Sequence, residues 1–242
     1  CFSEKGKQIV KAIDGDGPRD EKALGKGVYK RYGIGKHGFN IVSNQFSIHY
    51  FFKNRNTFYN FIRNLSENCK VGGLCIGTCY DGGKVFRMLE RKAINESVFI
   101  KNENDTKMWD LKKLYKQTTF PDDETSLGYA IDVYQESINK TFTEYLVNFD
   151  FFKRTMENYG FVPVRDNDAR KMGFPQGIGS FEDLYSTMEE ELENKKIKKA
   201  NIGKANNMTP DEKTISFLNN YFIFKKIRDP NAKEITNNLL TI

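Results

Sequence analysis

Hydrophobic positions in this chain switch between the two-residue period of a strand and the 3.6-residue period of a helix. Phe39 to Ser43 (FNIVS) is an apolar, β-branched run behind Gly38, the pattern of a buried parallel strand. Phe58, Phe61, Ile62 and Leu65 then recur at helical spacing between Asn56 and Cys69. Val71-Gly72-Gly73 marks a turn, Leu74 to Thr78 is a second buried strand, and Asp81-Gly82-Gly83 breaks it before Val85, Phe86 and Leu89 start another helix. Strand, helix, strand, helix over residues 39–90 predicts a parallel sheet with right-handed crossovers, an α/β fold.

The flanks are less regular. Residues 1–13 carry weak helical spacing through Ile9, Val10 and Ile13, and Asp14 to Asp20 (DGDGPRD) is a turn cluster. Asp14-x-Asp16-Gly17 lacks the further oxygen ligands and closing Glu of a calcium loop, so it reads as a surface turn capping the next helix. That helix is expected over 20–32, with Leu24, Val28 and Tyr32 on one face and Gly25 and Gly27 weakening it. Residues 91–125 read as a polar surface excursion anchored by Trp109, Leu111 and Tyr115. A strand over 128–135, an extended lead-in at 141–147, a helix through Phe151, Phe152, Met156 and Tyr159, and a short strand at 160–164 follow. Residues 180–207 predict a helix and a lysine- and asparagine-rich loop, residues 214–226 a closing strand, and residues beyond 228 a polar tail.

Composition adds limits. Aromatics make up 14% of the 242 residues, ample material for one sizeable core or two small ones. A net charge of +6 suits a polyanionic partner without demanding one. The cysteines Cys1, Cys69, Cys75 and Cys79 have only His37 and His49 as companions, so their spacing offers no zinc site and no metal is expected. No apolar run approaches the ~18 residues of a membrane span.

The candidate chemistry lies just past the first strand. Asn44, Gln45, Ser47, His49 and Tyr50 crowd together with Phe46 and Ile48 where an open α/β sheet binds ligands, beyond a strand's C-terminal end. A lone histidine there is ordinarily a capping or core residue, a lone glutamate at 144 an ordinary helix-end carboxylate, and an aromatic at 221 ordinary core; their neighbours change the reading.

Phe39, Ser43, Gln45, Phe46, His49, Tyr50 and Phe52 match F-D-x-x-S-x-Q-F-x-x-H-Y-x-F in register, with Asn40 in place of Asp. Ile62 to Glu67 (IRNLSE) and Lys70 to Thr78 (KVGGLCIGT) match a second block, and Thr143 to Val147 (TEYLV) is similar to P-E-[FY]-L-V with threonine for proline. In these blocks the chain resembles messenger-RNA cap guanine-N7 methyltransferases, over roughly residues 36–228. The resemblance implies a class I S-adenosylmethionine-dependent methyltransferase (Rossmann-like) fold whose first strands are missing. Residues 1–242 would be the C-terminal two-thirds of one domain: an approach segment (1–38), a strand-helix-strand core (39–90) and the cap pocket with the C-terminal strands (91–242).

It further implies that Gln45, Phe46 and Tyr50 hold the methyl donor, S-adenosylmethionine. His49, Tyr50, Glu144 and Tyr221 would hold the cap guanine, with Glu144 accepting from its Watson–Crick edge. Guanine N7 carries no proton, so the reaction needs positioning and no general base. The donor-binding G-x-G-x-G loop of the class is not recognisable in the chain. The implied partner is a capped RNA 5′ end, with a guanylyltransferase or triphosphatase domain in the same parent chain and no membrane; the implied location is the cytoplasm, a viral factory or a virion. Asp16 to Glu21 (DGPRDE) resembles an insertion in such enzymes of large DNA viruses. The alternatives are a catalytically inactive stimulatory or RNA-binding subunit of a capping complex, and a methyltransferase for another small molecule.

Overall fold

The structure is a computed structural model that describes residues 3–241; Cys1 lies outside it. Helix α1 (Glu4–Asp14) is capped by Ser3, whose hydroxyl accepts from the Gly6 N–H. The single helix expected over 20–32 is two short ones, α2 (Glu21–Leu24) and α3 (Lys26–Tyr29), because Gly25 between them takes φ 77°.

Strand β1 (Phe39–Gln45) leads into a 3-10 turn (Ile48–Lys53), helix α4 (Arg55–Asn68), strand β2 (Cys69–Tyr80) and helix α5 (Gly82–Met88). Asn54 and Thr57 form a reciprocal capping box at the start of α4, and Phe58, Ile62 and Leu65 bury its apolar stripe. β1 and β2 pair in parallel, as the alternation of strands and helices requires.

Residues 91–125 correct the sequence reading. They are no mere excursion: β3 (Ser97–Lys101) and β4 (Lys107–Lys113) join β5 (Ala130–Gln135) and β6 (Lys140–Tyr145) in a four-stranded antiparallel sheet. Trp109 and Leu111 bury its inner face. Lys113, on the same face, is buried too, donating to the Leu89 carbonyl at 3.3 Å with its ammonium 5.0 Å from the Tyr115 ring centre.

The chain then returns to the first sheet through α6 (Phe149–Asn158), β7 (Phe161–Pro163), α7 (Asp166–Lys171), β8 (Ile178–Ser180), α8 (Phe181–Glu193), α9 (Pro210–Ser216), β9 (Asn219–Lys226) and α10 (Ala232–Thr241). The strand order is β1-β2-β9-β7, with β8 also on β9, and β9 runs antiparallel to β2, β7 and β8. Two more expectations change. The first part of 214–226 is the end of α9, so the strand starts only at Asn219. The segment after 228 is a helix against α4, tied by the 2.7 Å hydrogen bond between Tyr159 and Thr236 and by the Arg55 guanidinium on the Leu239 carbonyl.

One face of the first sheet packs Phe222 and Phe224 beneath Phe52, Phe58 and Phe152, the largest core of the molecule. The other face sets Tyr221 and Ile223 against Phe174 and Leu184. Gly77 in β2 makes room for the Phe222 ring, because a Cβ there would collide with that ring and with the Asn44 carbonyl. Gly77→Ala is therefore expected to cost about 1–3 kcal/mol in a denaturant titration; a change below about 0.5 kcal/mol, ordinary for a surface site, would contradict this packing.

Candidate functional site

The two sheets meet around a cavity of about 530 Å³, a volume in the range of small-molecule sites. Its first wall follows from the end of β1. The Phe46 N–H still donates to the Thr78 carbonyl at 2.8 Å, but Phe46 itself turns to φ 48°, a backbone conformation that non-glycine residues seldom adopt. The chain leaves the sheet there and coils into the 3-10 turn. Ile48 and Phe52 anchor that turn in the core, which leaves His49 and Tyr50 on the cavity. The rings of His49 and Tyr50 meet edge to face, 4.3 Å between centres.

The second wall is the other sheet. Strand alternation puts Lys140, Phe142 and Glu144 of β6 on the cavity, with Val133 and Gln135 of β5 beside them. Phe181, Ile215, Ser216 and Asn219 close the end. The Tyr80 hydroxyl, also on the cavity, accepts from Trp109 Nε1 at 3.1 Å and Gln135 Nε2 at 3.2 Å.

At the floor, His49 Nε2 lies 3.5 Å from Glu144 Oε1, and their side chains are only 7% and 13% exposed. Nε2 has no hydrogen-bond partner. Burial pushes the His49 imidazole down to about 4 and the Glu144 carboxyl up to about 7. Between about pH 4 and 7 the protein thus holds an uncharged histidine beside a protonated carboxyl on the cavity floor. Burial, and next the charge on Glu144, raise the Tyr50 phenol.

Of the residues singled out from sequence, Phe46, His49, Tyr50 and Glu144 surround this one cavity. Gln45 does not. Its amide accepts from the Thr78 hydroxyl at 2.8 Å and donates to Ser43 at 3.2 Å, beside an apolar groove of about 300 Å³ formed with Ile41, Leu74 and Ile76. Phe181 borders both spaces, with Phe46 edge-on to it at 6.2 Å.

Tyr221 does not reach this cavity. It is buried on the groove side, its ring against Phe174 and its hydroxyl donating to the Gln176 carbonyl at 3.0 Å. The cavity lies beyond the start of β9, and Asn219 is the residue of that strand that reaches it. Lys140, Phe142 and Gln135 were also missed, although Lys140-x-Phe142-x-Glu144 is a visible two-residue alternation.

A methyl donor would need a wall of its own. The exposed Phe46 and Tyr50 rings offer aromatic surface just past β1, while both ends of the Gln45 amide are taken by Thr78 and Ser43. At the strand-to-helix turn Asp81-Gly82-Gly83, the Asp81 carboxylate caps α5 by accepting from the Gly83 and Lys84 N–H groups. Among the described residues no group of three His, Cys, Asp or Glu is placed to hold a metal ion, and no helix is long and apolar enough to cross a membrane.

Comparison with known proteins bears on this geometry. The probable mRNA-capping enzyme of Acanthamoeba polyphaga mimivirus is 25% identical over 225 residues, 86% of this chain and 19% of that protein. The chain thus spans about a fifth of the length of that curated relative. Among solved structures, the CcbJ methyltransferase from Streptomyces caelestis is 11% identical with a TM-score of 0.41, over 80% of this chain and 59% of that one. A S-adenosylmethionine-dependent methyltransferase from Clostridium acetobutylicum ATCC 824 is 10% identical with a TM-score of 0.34, over 52% and 48%. Residues 21–227, which include the turn after β1, both cavity walls and β9, match the mRNA (guanine-N(7))-methyltransferase domain, and the chain belongs to that family.

Proposed function

We propose that the cavity binds the guanine of an RNA 5′ cap and that the protein directs methyl transfer from S-adenosylmethionine to guanine N7. The observation that carries this reading is the His49–Glu144 pair on the cavity floor, shielded from solvent and with no hydrogen-bond partner at His49 Nε2. Guanine is the base whose Watson–Crick edge offers two adjacent donors, N1–H and the exocyclic amine. A carboxylate meeting both makes two charge-assisted hydrogen bonds.

The remaining chemistry is placement. N7 attacks through its own lone pair, so Glu144 and His49 need only hold the purine while Tyr50 and Phe46 shape the approach. The donor supplies an electrophilic methyl group on a sulfonium, and Gln45, Phe46 and Tyr50 are the residues here that would face it. Methylation makes the guanine ring cationic. A carboxylate on the opposite edge of the ring stabilises that charge as it develops, an interaction stronger in the transition state than in the ground state. Capped RNA is the proposed substrate, and a triphosphatase or guanylyltransferase domain of a longer parent chain the proposed neighbour.

Binding must be coupled to a proton. The Glu144 carboxyl, raised to about 7 in the free protein, has to ionise to accept from guanine. Affinity is therefore expected to be flat above pH 7 and to fall by up to tenfold per unit below it, with close to one proton released per cap bound at pH 6. Calorimetry in two buffers of different ionisation enthalpy reads this directly; affinity independent of pH between 5.5 and 8 would contradict it.

The function is tested by titrating the chain with GpppG and, separately, with S-adenosylhomocysteine. Binding of GpppG supports the cap pocket, and its absence overturns it. A silent cap-binding subunit would use the same cavity, and the one-sided wall at Gln45 and Phe46 keeps that reading open. Transfer of a labelled methyl group to GpppG decides for the enzyme.

A further inference from the structure

We infer that β6 carries a second recognition site in line with the first: Lys140, at the mouth of the cavity, takes the phosphate bridge of the cap, and Phe142 packs against the nucleoside between. The inference rests on the guanine reading of the floor. Lys140, Phe142 and Glu144 are alternate residues on one strand, and all three line the cavity. Alternate side chains on a strand stand about 6.7 Å apart, so Lys140 is roughly 13 Å from Glu144 along β6. That is the order of distance between the Watson–Crick edge of a purine nucleotide and the phosphates on its 5′ side.

Exposure rises in the same order. The Glu144 side chain is 13% exposed and Phe142 is 40% exposed, while Lys140 is open to solvent. An acceptor lies deepest, a ring stands halfway and a cation stands at the entrance, matching base edge, nucleoside and polyphosphate. Lys140 is also uncommitted: it takes part in none of the ion pairs among the described residues. Its register partner on β5 is Gln135, which carries no charge to neutralise it. Ile138, in the turn joining β5 to β6, is exposed and lines the cavity beside them.

The consequence is selection for guanosine that carries phosphates. The test compares guanosine, GTP and GpppG on the wild type, Lys140→Met and Phe142→Ala. Lys140→Met is expected to lose about tenfold in affinity for GpppG and GTP, none for guanosine, and about one unit of salt slope. Phe142→Ala is expected to weaken guanosine and GpppG by the same factor, because its contact precedes the phosphates. In the wild type, GpppG binding at least as tightly as GTP marks a cap bridge as the ligand, and tighter GTP binding overturns that assignment. If Lys140→Met keeps the full preference for GpppG over guanosine while Glu144→Gln abolishes binding of both, the phosphate site is wrong and the guanine pocket stands. If neither guanosine nor GpppG binds the wild type, the guanine reading fails and this inference with it.

Discussion

Glu144→Gln is expected to weaken GpppG binding by two to three orders of magnitude and to leave the fold intact. In the proposed pocket the carboxylate would accept from two guanine donors, and hydrogen bonds to a charged group are worth about 1.5–3 kcal/mol each. The amide keeps one acceptor and sets its own N–H₂ against a guanine donor, so most of that is lost. Stability should barely move, because the carboxyl is buried with a pKa of about 7 and Gln is close to an isostere of its protonated form. Binding of S-adenosylhomocysteine, which does not involve Glu144, should be unchanged. Titration of the variant beside its thermal unfolding separates the two effects. Retention of GpppG affinity within about threefold, less than one ordinary hydrogen bond, would remove Glu144 from the pocket.

The second large effect is on stability. Lys226 is 2% exposed, yet its ammonium is fully partnered. It donates to the Ser66 carbonyl at 2.6 Å and the Cys69 carbonyl at 2.9 Å, at the C-terminal end of α4, and pairs with Asp229. A cation there meets the negative end of the helix dipole and satisfies carbonyls that lack an intrahelical partner. Lys226→Met keeps the length of the side chain but strands those oxygens in the core. The expected loss is roughly 3–5 kcal/mol, as for breaking a buried charged contact, with an unchanged denaturant slope. A loss below about 1 kcal/mol would mean that water replaces the ammonium without cost.

Why some elements were legible and others not follows from where side-chain polarity matches burial. Phe39 to Ser43 and Leu74 to Thr78 announce themselves because their β-branched and apolar residues lie where a sheet buries them. β4 is hidden in KMWDLKK because Lys113 points inward on a carbonyl and an aromatic face, a compensation that exists only in three dimensions. Helix α10 is hidden for a similar reason: its Thr236 is fully buried against the Tyr159 hydroxyl, and a threonine among asparagines reads as tail.

The site divides in the same way. His49 and Tyr50 follow a strand closely, so one local geometry fixes both. Glu144 comes from another sheet, and neither period nor composition could bring it to His49; the T-E-Y-L-V pattern alone pointed there. Tyr221 lies apart from that cavity because the aromatic residues of β9 face the two packed sides of the sheet, whereas the cavity opens past the strand's first residue. A motif that matches loosely leaves such a shift of two residues unresolved.

The central claim is that the cavity floor selects guanine. Titrating the wild type with GpppG and with ApppA tests it most directly, since adenine sets an acceptor at N1 where guanine has a donor. The account expects GpppG to bind at least about a hundredfold more tightly above pH 7, as sites built around a buried polar group discriminate strongly against analogues that leave it unpaired. Equal affinities for the two dinucleotides would contradict it.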